Sequence, residues 1–477
     1  MISREEIRSV ADETGLTPSV VEKDYVLGWL LAAVNASPVL ARQWVFKGGT
    51  CLKKCYFETY RFSEDLDFTI LDKEHLDSDF LTENFRRLAE WLYDKSGIVL
   101  PIDRFVFDIY DNPRGHKSCE GRVYYESHFA SGKRSLPKIK FDLTADEILV
   151  MPAANRPVFH SYSDFQEEVF QVGCYDYPEV FGEKVRALGE RGRPRDLYDV
   201  INLFRNDQLP ASPVIRDVLS QKCAYKGIGI PVLADMESYR EVLERNWEPM
   251  LAHQLPSLPS IEVYWEALPA FFDWLEHGLQ EQAPVLGSVA GDEQIYRPLY
   301  GQLGLRSQSG ASLEIIRFAA GNRLCVSLDY TDDSGRRSTR VIEPYSLRQA
   351  SNGNVLLYAV RTADGQIRSY KIEQINDASM TNQVFAPRFQ VELSPTGPVG
   401  PIEHLPRTGP RLGIPRRLPR QPRAQALKAS GPTYIYRCPM CQKTFRKSRQ
   451  DAQLNRHKTK EGRPCSGRTG YLEDVKY

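Results

Sequence analysis

Asp65 and Asp67 stand two residues apart in a stretch where Asp65, Asp67 and Thr69 alternate with Leu66, Phe68 and Ile70. Strict alternation predicts a half-buried strand, whose every second side chain projects to one face. The two carboxylates then share that face, and like charges so close raise one pKa unless a cation lies between them. A divalent ion bridging the pair to a phosphate answers that need: Mg²⁺ or Mn²⁺ takes oxygen ligands and leaves room for substrate. Upstream, Lys47-Gly48-Gly49-Thr50 precedes a predicted helix over residues 50–56. Two glycines let backbone approach an anion, and the N–H groups of a helix start favour phosphate. Each motif alone has a plainer reading, since Gly-Gly is usually a turn and Asp-x-Asp is often solvated strand surface.

These side chains need elements to hold them. Residues 1–40 show helical spacing, and Val21-Glu-Lys-Asp-Tyr-Val-Leu27 predicts an amphipathic helix over the sheet, with Lys23 and Asp24 on its solvated face. Residues 80–93 read as helix. Residues 138–144, Lys-Ile-Lys-Phe-Asp-Leu-Thr, alternate as cleanly as the first strand and put Asp142 beside Lys138 and Lys140. An Asp on a neighbouring strand is what a two-metal site needs as its third carboxylate; the plain alternative is a surface Asp next to Lys140. Phe181, Val185 and Leu188 form the buried stripe of a further helix, with Glu183 and Lys184 beside it. A Lys there is a compact charge for triphosphate oxygens, although a surface Glu-Lys pair is the default. Arg191-Gly-Arg-Pro-Arg-Asp196-Leu-Tyr-Asp199 opens the next helix, with Pro194 at an N-terminal turn. Residues 206–280 read as helical, with Trp247, Trp265, Phe271, Phe272 and Trp274 as core aromatics.

Gly-Gly, helix and Asp-x-Asp strand in that order match the core of the nucleotidyltransferase superfamily. The fuller string, Lys47-Gly-Gly-Thr50 with Leu52, then Arg61, Ser63, Glu64, Asp65, Leu66 and Asp67, resembles the AbiEii-type nucleotidyltransferase toxins of abortive-infection and toxin–antitoxin systems, relatives of the mycobacterial MenT toxins. The resemblance covers about residues 1–280. It implies that Asp65 and Asp67 hold Mg²⁺ and that Asp142 is the third carboxylate. It also implies that Lys47, Gly48, Gly49, Thr50, Arg61, Ser63 and Lys184 bind the nucleotide, and that Asp196 orients or deprotonates the attacking hydroxyl. Arg193 departs mildly from the pattern, standing where many relatives have Lys.

Beyond residue 285 the character changes. Short alternating runs at 324–330, 337–342 and 355–360 are separated by turn sequences and predict a small β-rich domain. Its order resembles a WYL domain, although Val355–Tyr358 stand where the eponymous Trp-Tyr-Leu would be. Arg340, Arg368 and Tyr330 are its candidate anion or base contacts; a packing module is the alternative. Residues 395–432 hold nine prolines with interleaved arginines, an extended basic linker. Cys438-Pro-Met-Cys441, followed by His457 and Cys465, is a structural Zn²⁺ signature in a segment too short to fold without metal, with a redox Cys-x-x-Cys as the lesser alternative. Lys443, Arg446, Lys447, Arg449, Arg456 and Lys458 would give the finger a cationic face for nucleic acid; protein docking is the other use.

Composition bounds these readings. A chain of 477 residues is too long for one core. Its longest apolar run, residues 26–34, is far short of the roughly 20 residues that cross a bilayer. The N-terminus carries Arg4, Glu5, Glu6 and Arg8 in place of a signal-peptide core, and nine scattered cysteines suit a reducing cytoplasm. Net charge is zero, yet residues 401–477 carry 18 Lys or Arg against 5 Asp or Glu, a net +13, leaving −13 on the remainder. An acidic body with a basic tail predicts a polyanionic partner for the tail.

The expectation is therefore an α+β chain: a nucleotidyltransferase-fold catalytic domain (1–205), its helical lobe (206–284), a WYL-like β domain (285–393), a Pro/Arg linker (394–432) and a zinc finger (433–477). The expected reaction is Mg²⁺-dependent transfer of a nucleoside monophosphate from an NTP to RNA, by resemblance the 3′ end of tRNA. An antitoxin protein is the expected further partner, in the cytoplasm and away from membranes. The alternative is a nucleic-acid-binding regulator whose nucleotidyltransferase fold senses nucleotide without catalysis. A weaker third is modification of protein hydroxyls.

Overall fold

The computed structural model describes residues 1–14, 16–57, 61–112, 114–129, 136–160, 162–164, 170–206, 209–255, 257–278, 284, 286, 294–295, 308–393, 433–447, 451–455, 457, 459, 463–469 and 471–476. The linker expected at 394–432 lies outside them. The chain divides into two units, Met1–Glu403 and His404–Tyr477.

In the first unit, helices α1 (Arg4–Thr14), α2 (Pro18–Ala36) and α3 (Pro38–Gln43) lead into strand β1 (Trp44–Lys47). Helix α4 (Gly48–Cys51) runs on as a π-helical turn, Leu52–Tyr56, before β2 (Asp65–Ile70) and helix α5 (Ser78–Ser96). Strands β3 (Val106–Asp111), β4 (Lys117–Tyr124), β5 (Lys138–Thr144), β6 (Ala154–Pro157) and β7 (Gln171–Cys174) complete a seven-stranded sheet in the order β3-β4-β5-β2-β1-β7-β6. The sheet is mixed: β2 runs parallel to β5 and β1 parallel to β7, while the remaining pairs are antiparallel. Leu66, Phe68 and Ile70 of β2 and Ile139, Phe141 and Leu143 of β5 are buried, as alternation requires.

Helix α2 departs from its expected amphipathic form. Residues Tyr25 to Val34 are buried on all sides, and Asp24, expected in solvent, is only 7% exposed. It accepts from Lys54 Nζ at 2.6 Å and from the Tyr162 hydroxyl at 3.0 Å. Glu22 is likewise buried and accepts from the His128 backbone N–H and the Ser127 hydroxyl. A charge can enter a core when its partners come with it, and those partners lie 30 to 138 residues away in sequence, invisible to local periodicity.

Helices α6 (Tyr177–Arg191) and α7 (Pro194–Phe204) follow the sheet, and α8 (Ser212–Lys226), α9 (Leu233–Met236), α10 (Arg240–Leu251), α11 (Glu262–Trp265) and α12 (Leu268–His277) form the lobe. Pro194 opens α7, and Gly192, at φ +52°, ends α6 in the left-handed conformation that turns the chain. Trp247, Phe271, Phe272 and Trp274 are core residues, whereas Trp265 is only partly buried.

The β region is antiparallel. After β8 (Gln294–Ile295) and helix α13 (Gln308–Gly321) come β9 (Leu324–Thr331), β10 (Arg337–Gln349), β11 (Val355–Arg361), β12 (Ile367–Lys371) and β13 (Ile375–Val384). They order as β12-β11-β10-β9-β13, with β8 on β10 and α13 packed against β13 and β9. Strand β10 is longer than expected because its register shifts between Pro344 and Ser346, letting one strand continue past a proline.

The second unit is a three-stranded antiparallel sheet of β14 (Thr433–Arg437), β15 (Thr444–Lys447) and β16 (Tyr471–Lys476). Tyr436, Cys438, Leu454 and Cys465 make its core, with Phe445 against them.

Candidate active site

Strand register builds the site. Lys47 on β1 lies opposite Asp67 on β2, and Asp67 lies opposite Asp142 on β5. Asp142 in turn faces Glu120 on β4, and Asp65 faces Lys140. Because Asp65 and Asp67 are two apart on one strand, both share this face with Asp142. Two neighbouring carboxylates and a third from a strand distant in sequence thus converge.

Their titration reports unmet charge. Burial and then the charge of Asp142 push the Asp67 carboxyl up to about 6. Burial and then Asp65 raise Asp142, and burial raises Asp65. Carboxylates that are desolvated and repel one another are a receptor for a cation, and an all-oxygen donor set suits Mg²⁺ or Mn²⁺. The residues present therefore fit such an ion.

Gly48 adopts φ +82°, and a Cβ there would stand 2.1 Å from Asp67 Oδ2. Only glycine lets α4 start this close to the carboxylate. Gly49 faces Arg61 and Ser63 in the same way, at 2.6 Å and 3.1 Å from a hypothetical Cβ. The Thr50 hydroxyl donates to the backbone carbonyl of Asp65 and is 1% exposed, so its side chain ties helix to strand. Burial disfavours the Lys47 ammonium, but Glu147 at 3.5 Å, together with Tyr175, Glu183 and Asp67, outweighs this and keeps it charged.

Arg61, expected at the nucleotide, lies in a buried ion pair. Its guanidinium is 2% exposed, donates to both oxygens of Asp199 at 2.7 Å and reaches Gln254 at 2.9 Å. It braces the turn from behind. Asp199, held well below the usual carboxylate range by Arg61 and Lys184 against the opposing effect of burial, also binds Lys184 Nζ at 2.7 Å. Lys184 lies 3.7 Å from Asp196 and within electrostatic reach of Asp67. Both Asp196 oxygens accept from Arg191, at 2.8 and 3.0 Å, and the side chain is 1% exposed. That places Asp196, expected to orient or deprotonate the acceptor hydroxyl, in an ion network with Arg191 and Lys184.

Two residues here were missed by the sequence reading. Asp199, three after Asp196 and on the same helical face, is the closer partner of Lys184. Arg195 lies near enough to Asp65 and Glu64 for its charge to oppose the rise that burial imposes on each, while burial and Arg61 lower its own pKa; its Nε is buried without a hydrogen-bond partner. The i, i+3 spacing and the arginine-rich turn were the available signals. Lys23, expected in solvent, pairs with Glu64 at 2.8 Å beside the site.

In the second unit, the ligand atoms of Cys438, Cys441, His457 and Cys465 all lie within 4.8 Å of one another. His457 Nδ1 lies 2.8 Å from the Asn455 carbonyl, leaving Nε2 buried and without a hydrogen-bond partner. Burial would raise the Cys438 thiol, but backbone N–H groups of Cys441 and Met440 bring it to about 6. Gly467 leaves room for Cys438 Sγ, which would lie 2.4 Å from a Cβ there. Three thiols and an oriented imidazole in mutual reach fit Zn²⁺. Of the expected cationic face, Lys443 is exposed and Lys447 pairs with Asp451; Arg449, Arg456, Lys458 and the side chain of Arg446 lie outside the described residues. Cys51, Cys55 and Cys174 also cluster within 4.8 Å, fully buried beneath α4.

In the β region, Arg340 lies over the rings of Tyr330 and Tyr370, at 5.4 and 5.8 Å, and Arg368 pairs with Asp364 at 3.3 Å.

The family profile described as the nucleotidyl transferase AbiEii toxin of type IV toxin–antitoxin systems matches residues 29–277, and that of the WYL domain matches residues 311–380. Among solved structures, the chain is similar to MenT4, a nucleotidyltransferase toxin from Mycobacterium tuberculosis H37Rv, with 17% identity over 58% of this chain and 90% of that one, at a TM-score of 0.41. Another match, proteasome accessory factor B/C of Arthrobacter aurescens, is 9% identical over 56% of this chain and 25% of that one, at a TM-score of 0.15. No curated protein matches the chain.

Proposed function

Because the chain belongs to the AbiEii family of nucleotidyltransferase toxins of type IV toxin–antitoxin systems, we propose that it transfers a nucleoside monophosphate from an NTP to an RNA acceptor, the 3′ end of tRNA. The observation that carries this reading is the placing of Asp65, Asp67 and Asp142 on one face of β2 and β5, with Asp67 opposite both Asp142 and Lys47 and within electrostatic reach of Lys184. Asp65 and Asp67, with Asp142, would hold Mg²⁺, which when bound neutralises charge on the transferring phosphoryl group. The acceptor 3′-oxygen forms a bond to the α-phosphorus as the α–β bridging bond breaks and pyrophosphate leaves. Asp142, its pKa raised by burial and Asp65, takes the proton of the acceptor hydroxyl. Lys184, held in place by Asp196 and Asp199, offers its charge to the nucleotide phosphates, as does Lys47. Gly48 and Gly49 admit the phosphates close to backbone, and Ser63 stands beside them. Loading a tRNA 3′ end blocks aminoacylation and arrests growth, and a cognate antitoxin would restrain that.

In this reading residues 1–205 catalyse, 206–284 complete the toxin module, 285–393 form the accessory domain, and 394–432 tether a Zn²⁺-loaded finger at 433–477 that grips RNA. The test is incubation of the full chain with Mg²⁺, total bacterial RNA and each α-labelled NTP, beside Asp67→Ala. Label in tRNA-sized RNA that vanishes with Asp67→Ala is the expected result, and names the nucleotide. Label in protein alone would shift the acceptor to a side-chain hydroxyl. Label nowhere would overturn transfer and favour a nucleic-acid-binding regulator built on the WYL domain and the finger.

A further inference from the structure

Three cysteines that the transfer reaction does not use meet in the core of the first unit. Cys51 ends α4, Cys55 lies four residues on in the π-helical turn, and Cys174 ends β7, whose register sets it opposite Phe46 of β1. Residues four apart on a helix share a face, so Cys51 and Cys55 present their sulfurs together to the strand. All three are free thiols at 0% exposure, and their sulfurs lie within 4.8 Å of one another, the same mutual reach as the ligand atoms of the finger. A single buried cysteine is an ordinary small core side chain. Three with converging sulfurs, brought from a helix and a strand distant in sequence, make a soft-ligand set.

Two polar neighbours complete it. The Tyr56 hydroxyl donates to the Tyr175 carbonyl at 2.7 Å, and its oxygen stands 4.0 Å from Cys174 Sγ. With its proton committed, the phenol still has lone pairs to offer a cation. Arg156, 4% exposed, donates from Nε and Nη2 to the Cys55 carbonyl at 3.3 Å and lies 4.5 Å from the Tyr56 ring centroid. A positive charge is therefore fixed in the core beside the thiols. Hydrogen bonds from Cys51 and Cys55 hold the Cys174 thiol well below its ordinary range against burial, and Arg156 adds to this.

Charge and size then select the ion. Three thiolates and one divalent cation leave a single negative charge, which Arg156 cancels; a monovalent cation would leave one uncancelled in the core. Zn–S bonds of about 2.3 Å set tetrahedral sulfurs about 3.8 Å apart, so these need draw together by no more than about 1 Å.

We infer that Cys51, Cys55 and Cys174 form a second thiolate site for Zn²⁺, with the Tyr56 hydroxyl as fourth ligand, clamping the helix that starts at Gly48 to β7. As the ion binds, protons still held by the thiols pass to solvent. Metal content reads this site independently of nucleotide transfer.

The test is zinc per chain, measured by mass spectrometry on the full chain grown with added Zn²⁺ and desalted, beside circular dichroism and melting temperature. Two ions per chain are expected in the parent. Cys438→Ala/Cys465→Ala disables the finger, leaves the core untouched and should keep one ion; none there overturns the site, whether or not any core variant folds. Cys51→Ala and Cys174→Ala, each with the parent's dichroism, should lose one ion and keep the finger's. Full retention of zinc in those two folded variants likewise overturns the site. Tyr56→Phe should hold the core ion at least tenfold less tightly against a competing chelator. Stripping that ion from the finger-disabled variant should lower its melting temperature, since a metal bound to the native state stabilises it; an unchanged melting temperature would overturn the clamp. Copper(I) in place of zinc, lost in the same core variants, would overturn the divalent assignment.

Discussion

At the scale of single residues, the site is held in a costly ionisation state. Asp67 titrates near 6 in the fold against about 3.9 unperturbed, so its protonated form is favoured on folding. Its contribution to stability is present below about pH 4 and is lost as pH rises through about 6. Asp67→Asn should therefore stabilise the metal-free protein at pH 7.5 by on the order of 2 kcal/mol, and Mg²⁺ should stabilise only the parent. Urea unfolding at pH 4 and 7.5, with and without Mg²⁺, checks both signs; equal stabilities at pH 7.5 would remove the repulsion argument. Arg61 gives the opposite case. Breaking its buried pair leaves Asp199 with Lys184 alone, so Arg61→Ala should cost about 3 kcal/mol in the same unfolding assay. Arg61→Lys should recover only part of that, because one ammonium cannot serve both Asp199 oxygens.

At the scale of elements, the alternations at 65–70 and 138–144 were sufficient to place three carboxylates on strand faces, and β2 and β5 have the expected bounds. Which strands would be neighbours was not legible, because pairing is decided by the whole sheet's core. Gly48 joins the two levels: it starts α4 at φ +82° against Asp67. Gly48→Ala should strain the backbone by about 1–2 kcal/mol and displace the carboxylate. The expected outcome is a folded protein with Mg²⁺ affinity and nucleotide transfer each reduced at least tenfold. Isothermal titration beside circular dichroism checks it; unchanged affinity would show that Asp67 adapts. The amphipathic reading of α2 failed for an intelligible reason: its charged residues find partners in segments that no local pattern connects to it.

At the scale of the whole molecule, the two units should respond differently to metal removal. A segment of about 40 residues with so small a core depends on its metal, so chelating Zn²⁺ should abolish hydrogen-exchange protection across residues 433–476. Protection in the first unit, which has its own extensive core, should be unaffected. Protection surviving chelation would exclude a structural zinc. Removing residues 395–477 should weaken RNA binding and flatten its salt dependence, since fewer phosphates are then neutralised and fewer counterions released. An unchanged slope would assign RNA binding to the first unit. The sequence by itself determined the chemistry available here, because residue type and period settle which side chains are hard ligands, which are soft ligands and which face of a strand they occupy. The tertiary structure alone decided which of them meet. It gave Asp199 to Lys184 and Arg61 and tied the Thr50 hydroxyl to the carbonyl of Asp65 and the Asp196 carboxylate to Arg191. Ion pairs and strand neighbours depend on where distant segments pack, and that is a property of the assembled core.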